Sequence, residues 1–299
     1  MKASDIVVES QSSILMKGPF GHGKTLAAAS FAIEGPIFLA YFDKKKPIEL
    51  IHFFKKHRPE LLKNIEFEVY GAHNANLYLN KLIDFANDCR YVAVITDSVT
   101  QLTSAAVNWS LGFRKDAKFN KTKDKILPDW DEYKIETSLV TQALDISRTL
   151  PCHVIWTCHP VPSIKVEGAG ASIKVTKTNP IVTYGSKVAG IVPGNFSEIY
   201  HFSKQSGWDA NISKNITKYL VSTDSIGDDF AKSNLGLKGE FDITDKLFYE
   251  IWKEQIKRLK EEQDALVQTT TQVPNPFDNL VTDNSATVKR WNAEKGTYE

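Results

Sequence analysis

The sequence predicts a doubly wound α/β domain built on a mostly parallel sheet. Short apolar runs alternate with longer amphipathic runs from Ile14 to about Thr223, which is the order of strands and helices in such a fold. Some runs, such as VAVI (92–95) and HVIW (153–156), are apolar throughout, as expected of strands buried on both faces. With 299 residues and 42% apolar content, the chain can bury one large core.

Seven strands and five intervening helices follow from the pattern. The strands are predicted at Ile14–Met16, Ile37–Phe42, Ile65–Tyr70, Tyr91–Thr96, Val154–Thr157, Glu198–Phe202 and Lys218–Ser222. The helices are predicted at Lys24–Ile33, Ile48–Lys56, Leu77–Asn87, Val99–Leu111 and Tyr133–Thr149. Two long polar segments, 112–131 and 163–194, interrupt the alternation. Long loops in a compact domain are usually functional or mobile.

The C-terminal part differs in composition from the rest. We expect a core over residues 1–244, an amphipathic helix over 245–267 and a disordered polar tail over 268–299. Within the tail, Pro274–Asp278 contains an isolated phenylalanine, which is compatible with a short docking peptide or with a featureless tail.

Composition and charge exclude several classes of protein. The 37 basic and 36 acidic residues nearly cancel, so any attraction to nucleic acid must come from local patches. Cys89, Cys152 and Cys158 lack CxxC spacing, which argues against a disulfide framework or a cysteine metal site. The sequence shows neither a signal peptide nor a long apolar span. We expect a soluble cytoplasmic protein without a membrane partner.

The segment GPFGHGKT (18–25) is the sharpest motif in the chain. Glycines let the backbone wrap around phosphate groups, and the helix that follows presents its positive end to the same anion. The lysine is expected to reach the β- and γ-phosphates, and the threonine hydroxyl to ligate Mg²⁺. The predicted ATP-binding residues are Gly18, Pro19, Phe20, Gly21, His22, Gly23, Lys24, Thr25 and Leu26.

A carboxylate at the end of a neighbouring strand is needed to complete a Mg²⁺ site beside such a loop. Asp97 follows the apolar run YVAVIT and is the candidate, with Thr25 as the second metal ligand. The alternative is that Asp97 or Ser98 only caps the helix that starts at Val99.

The residues around Asp97 resemble those of the RecA-like core ATPases. Asp97 is followed by serine rather than by glutamate as in AAA+ proteins, and neither an NKxD guanine motif nor an arginine-rich lid is present. The resemblance implies that Asp43, at the end of the second strand, orients the attacking water, although glutamate is usual there. Glu49 is a more distant candidate for this role. The resemblance also implies that His159 contacts the γ-phosphate. The alternatives are that Asp43 is a solvated carboxylate at the end of a strand and that His159 is a histidine in a turn.

The two interrupting segments occupy the places where RecA-like cores carry DNA-binding loops. Basic residues beside aromatic ones suit single-stranded DNA, whereas either segment could also be an ordinary solvated surface. The candidate DNA-binding residues are Arg114, Lys115, Lys118, Phe119, Lys121, Lys123 and Lys125 in the first segment and Lys174 and Lys177 in the second.

Over residues 10–245 the motifs GPFGHGKT, VAVITDS, HVIWTCHP and YLVSTDSIGDDFAKSNLGL resemble phage-encoded RecA-like ATPases of the Sak class. This resemblance implies an ATP- and Mg²⁺-dependent protein that binds single-stranded DNA in annealing and recombination, in the cytoplasm of a host cell. It further implies a ring or filament, a single-strand-binding protein as partner, and a basic residue supplied in trans, for which Lys232 is a candidate.

Two other functions stay open. A nucleotide-switched loader or scaffold would use segment 112–131 to bind an acidic protein surface instead of DNA. A replicative helicase motor is disfavoured, because few residues precede Gly18 and an N-terminal assembly domain has no room there.

Overall fold

The computed structural model describes residues 11–43, 46–112, 119–120, 125–126, 128–161, 163–167, 174–178, 181–209, 214–224, 231–270, 291–292 and 297–298. The chain divides into two compact units, Met1–Gln255 and Ile256–Glu299. No helix in the described ranges has the length and apolar character to cross a membrane.

Strands and helices alternate over much of the chain. The strands are β1 (Ser13–Lys17), β2 (Ile37–Tyr41), β3 (Ile65–Val69), β4 (Ala93–Asp97), β5 (Phe119–Asn120), β6 (Lys125–Ile126), β7 (His153–Cys158), β8 (Ser163–Glu167), β9 (Lys174–Thr178), β10 (Glu198–Asp209), β11 (Lys214–Ser222), β12 (Lys232–Ser233), β13 (Glu240–Asp242), β14 (Trp291–Asn292) and β15 (Thr297–Tyr298). The helices are α1 (Lys24–Ala29), α2 (Ile48–His57), α3 (Ala75–Asn87), α4 (Val99–Leu111), α5 (Trp130–Ser147), α6 (Ser186–Ile191) and α7 (Phe248–Thr270), with 3-10 helices at Ser30–Ile33, Pro59–Asn64 and Val192–Asn195.

The predicted mixed α/β fold with a mostly parallel sheet is confirmed. The main sheet has nine strands in the order β13-β11-β10-β1-β7-β4-β2-β3, with β12 paired to β10. Six neighbouring strands, from β10 to β3, are parallel. Strands β11, β12 and β13 add antiparallel pairs at the other edge. All seven predicted strands are present with shifted ends.

The second interrupting segment contains more regular structure than the sequence suggested. Strands β8 and β9 pair antiparallel, with Ser163 opposite Thr178 and Glu167 opposite Lys174, and α6 follows. The glycine, lysine and threonine content favoured a loop over 163–194. The β-branched residues of SIKVE and KVTKT fit a pleated strand, and pairing with each other satisfies their backbone groups.

The central strands are buried on both faces because helices cover both sides of the sheet. Leu15, Val94 and Trp156 belong to a cluster that includes residues of α3, α4 and α5. On the other face, Phe31 contacts aromatic residues of the first turns of α7, Phe248, Tyr249 and Trp252. The parallel arrangement brings the carboxyl ends of β1, β2, β4 and β7 to one edge of the sheet.

Candidate functional site

The loop between β1 and α1 wraps tightly at this edge. Gly21 and Gly23 have φ angles of 72° and 85°, in the left-handed region that favours glycine. At Gly18 space is the constraint, because a Cβ atom there would lie 2.5 Å from the carbonyl oxygen of Phe202. The glycines of GPFGHGKT are therefore required by backbone conformation and by the close approach of β10.

Lys24 lies inside the loop. Its Nζ atom donates hydrogen bonds to the carbonyl oxygens of Gly18, at 2.6 Å, and Pro19, at 2.8 Å, and lies 3.2 Å from Nδ1 of His159. Burial lowers the pKa of Lys24 to about 8, although Cys158 and Asp97 act in the opposite direction. The ammonium group is thus held by groups that an oxygen-rich anion can replace.

Asp97 is clamped by two threonine hydroxyls at the end of β4. Thr25 Oγ1 donates to Oδ2 of Asp97 at 2.8 Å, and Thr157 Oγ1 donates to Oδ1. Burial raises the pKa of Asp97, and both threonine hydrogen bonds and the charge of Lys24 oppose that rise. The peptide bond from Asp97 to Ser98 is cis.

The donor set at Asp97 fits Mg²⁺. A carboxylate and a hydroxyl are hard oxygen ligands, and Mg²⁺ is usually bound by one or two carboxylates together with substrate phosphates and water. Among the described residues, no group of three or more His, Cys, Asp or Glu side chains could hold a metal ion. Thr25 and Asp97 would therefore hold Mg²⁺ jointly with a bound nucleotide.

His159 directly follows β7 and contacts the loop between β1 and α1. Its ring stacks on Phe20 with centroids 3.7 Å apart and an interplanar angle of 22°. Burial, and secondly the charge of Lys24, lowers the pKa of His159 to about 4, so the ring is neutral near pH 7. A neutral ring that accepts from Lys24 at Nδ1 carries its proton on Nε2.

The backbone of His159 connects the site to the β8–β9 hairpin. The carbonyl oxygen of His159 accepts from the amide of Val182 at 2.8 Å, and Pro160 forms a β-bridge with Ile181. Both stems of the hairpin are therefore joined next to the loop between β1 and α1.

Asp43 is exposed at the end of β2 and lines the same cleft as the loop. Burial, and secondly the charge of Asp43, raises the pKa of Tyr41 to about 12. Glu49, in the first turn of α2, also lines the cleft, whose volume is about 1110 Å³. The structure places both candidate carboxylates at the cleft.

The candidate DNA-binding residues are only partly described. Arg114, Lys115, Lys118, Lys121 and Lys123 lie outside the described residues, as does Pro274–Asp278. Phe119, Lys125, Lys174 and Lys177 lie on β5, β6 and β9, for which the backbone alone is described. Lys232 lies on β12, paired with Ile199 of β10.

Thr157 is a site residue that the sequence analysis did not single out. It is one of two polar residues in HVIWTC, and it pairs in register with Met16 of β1. The sequence signal for Thr157 was a hydroxyl near the carboxyl end of an otherwise apolar strand, since a buried polar group needs a hydrogen-bond partner.

No protein-family model matches the chain, and no curated protein matches it. The chain is similar to the crystal structure of a KaiC-like protein from the hyperthermophilic archaeon Pyrococcus horikoshii OT3, with 15% identity, a TM-score of 0.38, and coverage of 71% of this chain and 77% of that one. At this level the likeness carries no argument about function, which must be argued from the site.

Proposed function

We propose that this protein is a Mg²⁺-dependent ATPase of the RecA-like P-loop class, coupled to single-stranded DNA in annealing or recombination. The observation that carries the ATPase proposal is the convergence of Lys24 and Thr25, which follow β1, with Asp97, which ends β4, at the carboxyl ends of the parallel strands. Thr25 and Asp97 are already joined at 2.8 Å.

Each residue has a distinct role in this proposal. Lys24 exchanges the carbonyls of its own loop for the β- and γ-phosphate oxygens. Thr25 and Asp97 hold Mg²⁺, which neutralises charge on the phosphates. His159 donates from Nε2 to the γ-phosphate. Asp43 orients the attacking water, and Glu49 is the second candidate for this role.

The proposed coupling to DNA rests on position and charge. Residues 114–125 carry six basic and two acidic side chains, and the segment lies between α4, which directly follows Asp97, and α5. The second basic segment is the hairpin whose stems join at His159 and Val182. Both segments thus connect to residues of the nucleotide cleft, as coupling requires, and their lysines can neutralise DNA phosphates.

The test is ATP turnover by the purified protein with and without single-stranded DNA. Lys24→Ala is expected to abolish nucleotide binding in titration calorimetry, because the loop then lacks its cation. Unchanged affinity would remove the basis for this site.

We expect single-stranded DNA to stimulate ATP turnover strongly. Charge reversal of Lys118, Lys121 and Lys123 should weaken DNA binding and reduce its salt dependence. Turnover indifferent to DNA would overturn the DNA half of the proposal and favour the loader or scaffold.

A further inference from the structure

Two cysteines lie side by side at the edge of the sheet opposite the nucleotide cleft. Cys89 is in the turn between α3 and β4, and Cys152 is in the turn between α5 and β7. Their sulfur atoms are 3.7 Å apart, although the residues are 63 positions apart in the chain. Both thiols are reduced in the structure.

The surrounding backbone places Cys152 close to the turn that carries Cys89. Strands β4 and β7 are parallel neighbours, with Ala93 opposite His153, and the amide of His153 donates to the carbonyl of Val92 at 2.9 Å. A disulfide has an S–S distance of about 2.05 Å, so side-chain rotation has to close a gap of about 1.7 Å from the observed 3.7 Å. The turns already lie next to each other, and neither strand has to change its pairing.

The two thiols have different environments. Cys89 is partly exposed, whereas Cys152 is buried. A hydrogen bond with Cys152 lowers the pKa of Cys89, and the same hydrogen bond, followed by burial, raises the pKa of Cys152. Cys89 is therefore the accessible and more acidic thiol, and Cys152 is the neighbour within reach of its sulfur.

We propose that Cys89 and Cys152 form a redox-sensitive pair, which a hydroperoxide oxidises to an intramolecular disulfide. The thiolate of Cys89 attacks a peroxide oxygen, so that an S–O bond forms, the O–O bond breaks, and the leaving oxygen takes up a proton. The sulfur of Cys152 then attacks the sulfenic sulfur, an S–S bond forms as the S–O bond breaks, and water leaves with the Cys152 proton. The two thiols lose two electrons, and the peroxide gains them.

The disulfide would close the part of the chain that carries β4, α4 and α5. A cross-link over a loop of this length stabilises the fold mainly by restricting the unfolded chain. The pair lies at the amino ends of β4 and β7, whereas Lys24 and Asp97 lie at the carboxyl edge. Oxidation should therefore raise thermal stability while nucleotide binding stays intact.

The experiment is oxidation of the full chain with a small excess of hydrogen peroxide. We expect a mass decrease of about 2 Da, as two thiol hydrogens are lost. Non-reducing peptide mapping should join Cys89 to Cys152, and the melting temperature should rise by several degrees. Dithiothreitol should reverse these changes. Cys158→Ser should form the same link, since Cys158 is buried in β7.

Three further variants make the result decisive. Cys152→Ser and Cys152→Ala each remove the second thiol, so peroxide should leave a sulfenic acid on Cys89 that dimedone traps. Lys24→Ala should form the disulfide as readily as the wild type, which separates this proposal from that of nucleotide binding. A link to Cys158, a dimer on non-reducing gels, or full alkylation of Cys89 after peroxide treatment would overturn the proposal.

Discussion

At the scale of single residues, the site depends on hydrogen bonds to one buried carboxylate. Asp97 is 7% exposed and accepts hydrogen bonds from two threonine hydroxyls, one in the GPFGHGKT motif and one in β7. A buried carboxylate without donors is costly to keep ionised. The proposed metal site therefore depends on Thr157 as well as on the residues of the motif.

Thr157→Val keeps the shape of the side chain and removes one of these donors. We expect a fall of about ten- to a hundred-fold in apparent Mg²⁺ affinity, since a hydrogen bond to a charged group contributes about 1.5–3 kcal/mol. Mg²⁺ titration of ATP turnover measures this. Thr149→Val, whose exposed hydroxyl donates to the carbonyl of Ile146, serves as the control. An unchanged Mg²⁺ titration would show that Thr157 does not support the metal ligand.

Gly18→Ala tests the contact between the loop and β10. The new Cβ would lie 2.5 Å from the oxygen and 2.9 Å from the Cβ of Phe202, so we expect a loss of about 1–3 kcal/mol in the free energy of unfolding and weaker nucleotide binding. Gly194→Ala is the control, because its Cβ would have no atom within 4 Å. Urea unfolding of both variants measures the difference, and equal stability would contradict the close approach.

At the scale of elements, a buried carboxylate joins the antiparallel edge of the sheet to the rest. Glu198, fully buried at the start of β10, accepts from the hydroxyls of Tyr200, at 2.7 Å, and Ser233, at 2.6 Å, and from the amide of Leu235, at 3.0 Å. Trp252 of α7 donates to the hydroxyl of Tyr200 at 2.9 Å. One side chain thus positions β10, the segment 233–235 and the first turns of α7.

Glu198→Ala should be strongly destabilising. It leaves three donors without an acceptor in a buried site, for which we expect a loss of about 3 kcal/mol or more. Glu240→Ala, at an exposed position of β13, should change stability by less than about 0.5 kcal/mol. Urea unfolding followed by tryptophan fluorescence measures both, and a similar small effect of the two changes would show that the network is dispensable.

At the scale of the whole molecule, stability should depend on pH through His153. Its Nδ1 atom accepts from the amide of Ser12 at 3.0 Å, and burial lowers its pKa from the ordinary 6.5, although Glu34 opposes this. The unfolded chain therefore binds a proton more readily than the folded chain. This contribution to stability is complete above about pH 6.5 and is lost as the pH falls below that value, by at most about 1.4 kcal/mol per pH unit.

Urea unfolding at about pH 7.5 and about pH 5.5 measures this dependence. His153→Gln should show a smaller loss between the two values, since glutamine does not titrate. His57→Gln, at an exposed position, should behave as the wild type. An equal loss in all three proteins would assign the pH dependence to other groups.

Local sequence patterns were sufficient to predict the fold class and to locate the central motif. Both are recognised from short stretches of the chain. Apolar strands such as VAVI indicate burial on both faces of a sheet, and the glycines of GPFGHGKT indicate a loop with positive φ angles. The position of Asp97 at the end of a buried strand was also predictable, because the carboxylate directly follows an apolar run in the sequence.

Tertiary structure alone decided which distant residues meet. Thr157 reaches Asp97, Cys89 reaches Cys152, and Phe20 stacks on His159, because the order β1-β7-β4-β2 inserts β7 between the loop and the metal carboxylate. The β8–β9 hairpin forms because two polar segments satisfy each other's backbone groups. The contacts of Thr157, Cys89 and Phe20 join residues far apart in the chain, and no local periodicity encodes them.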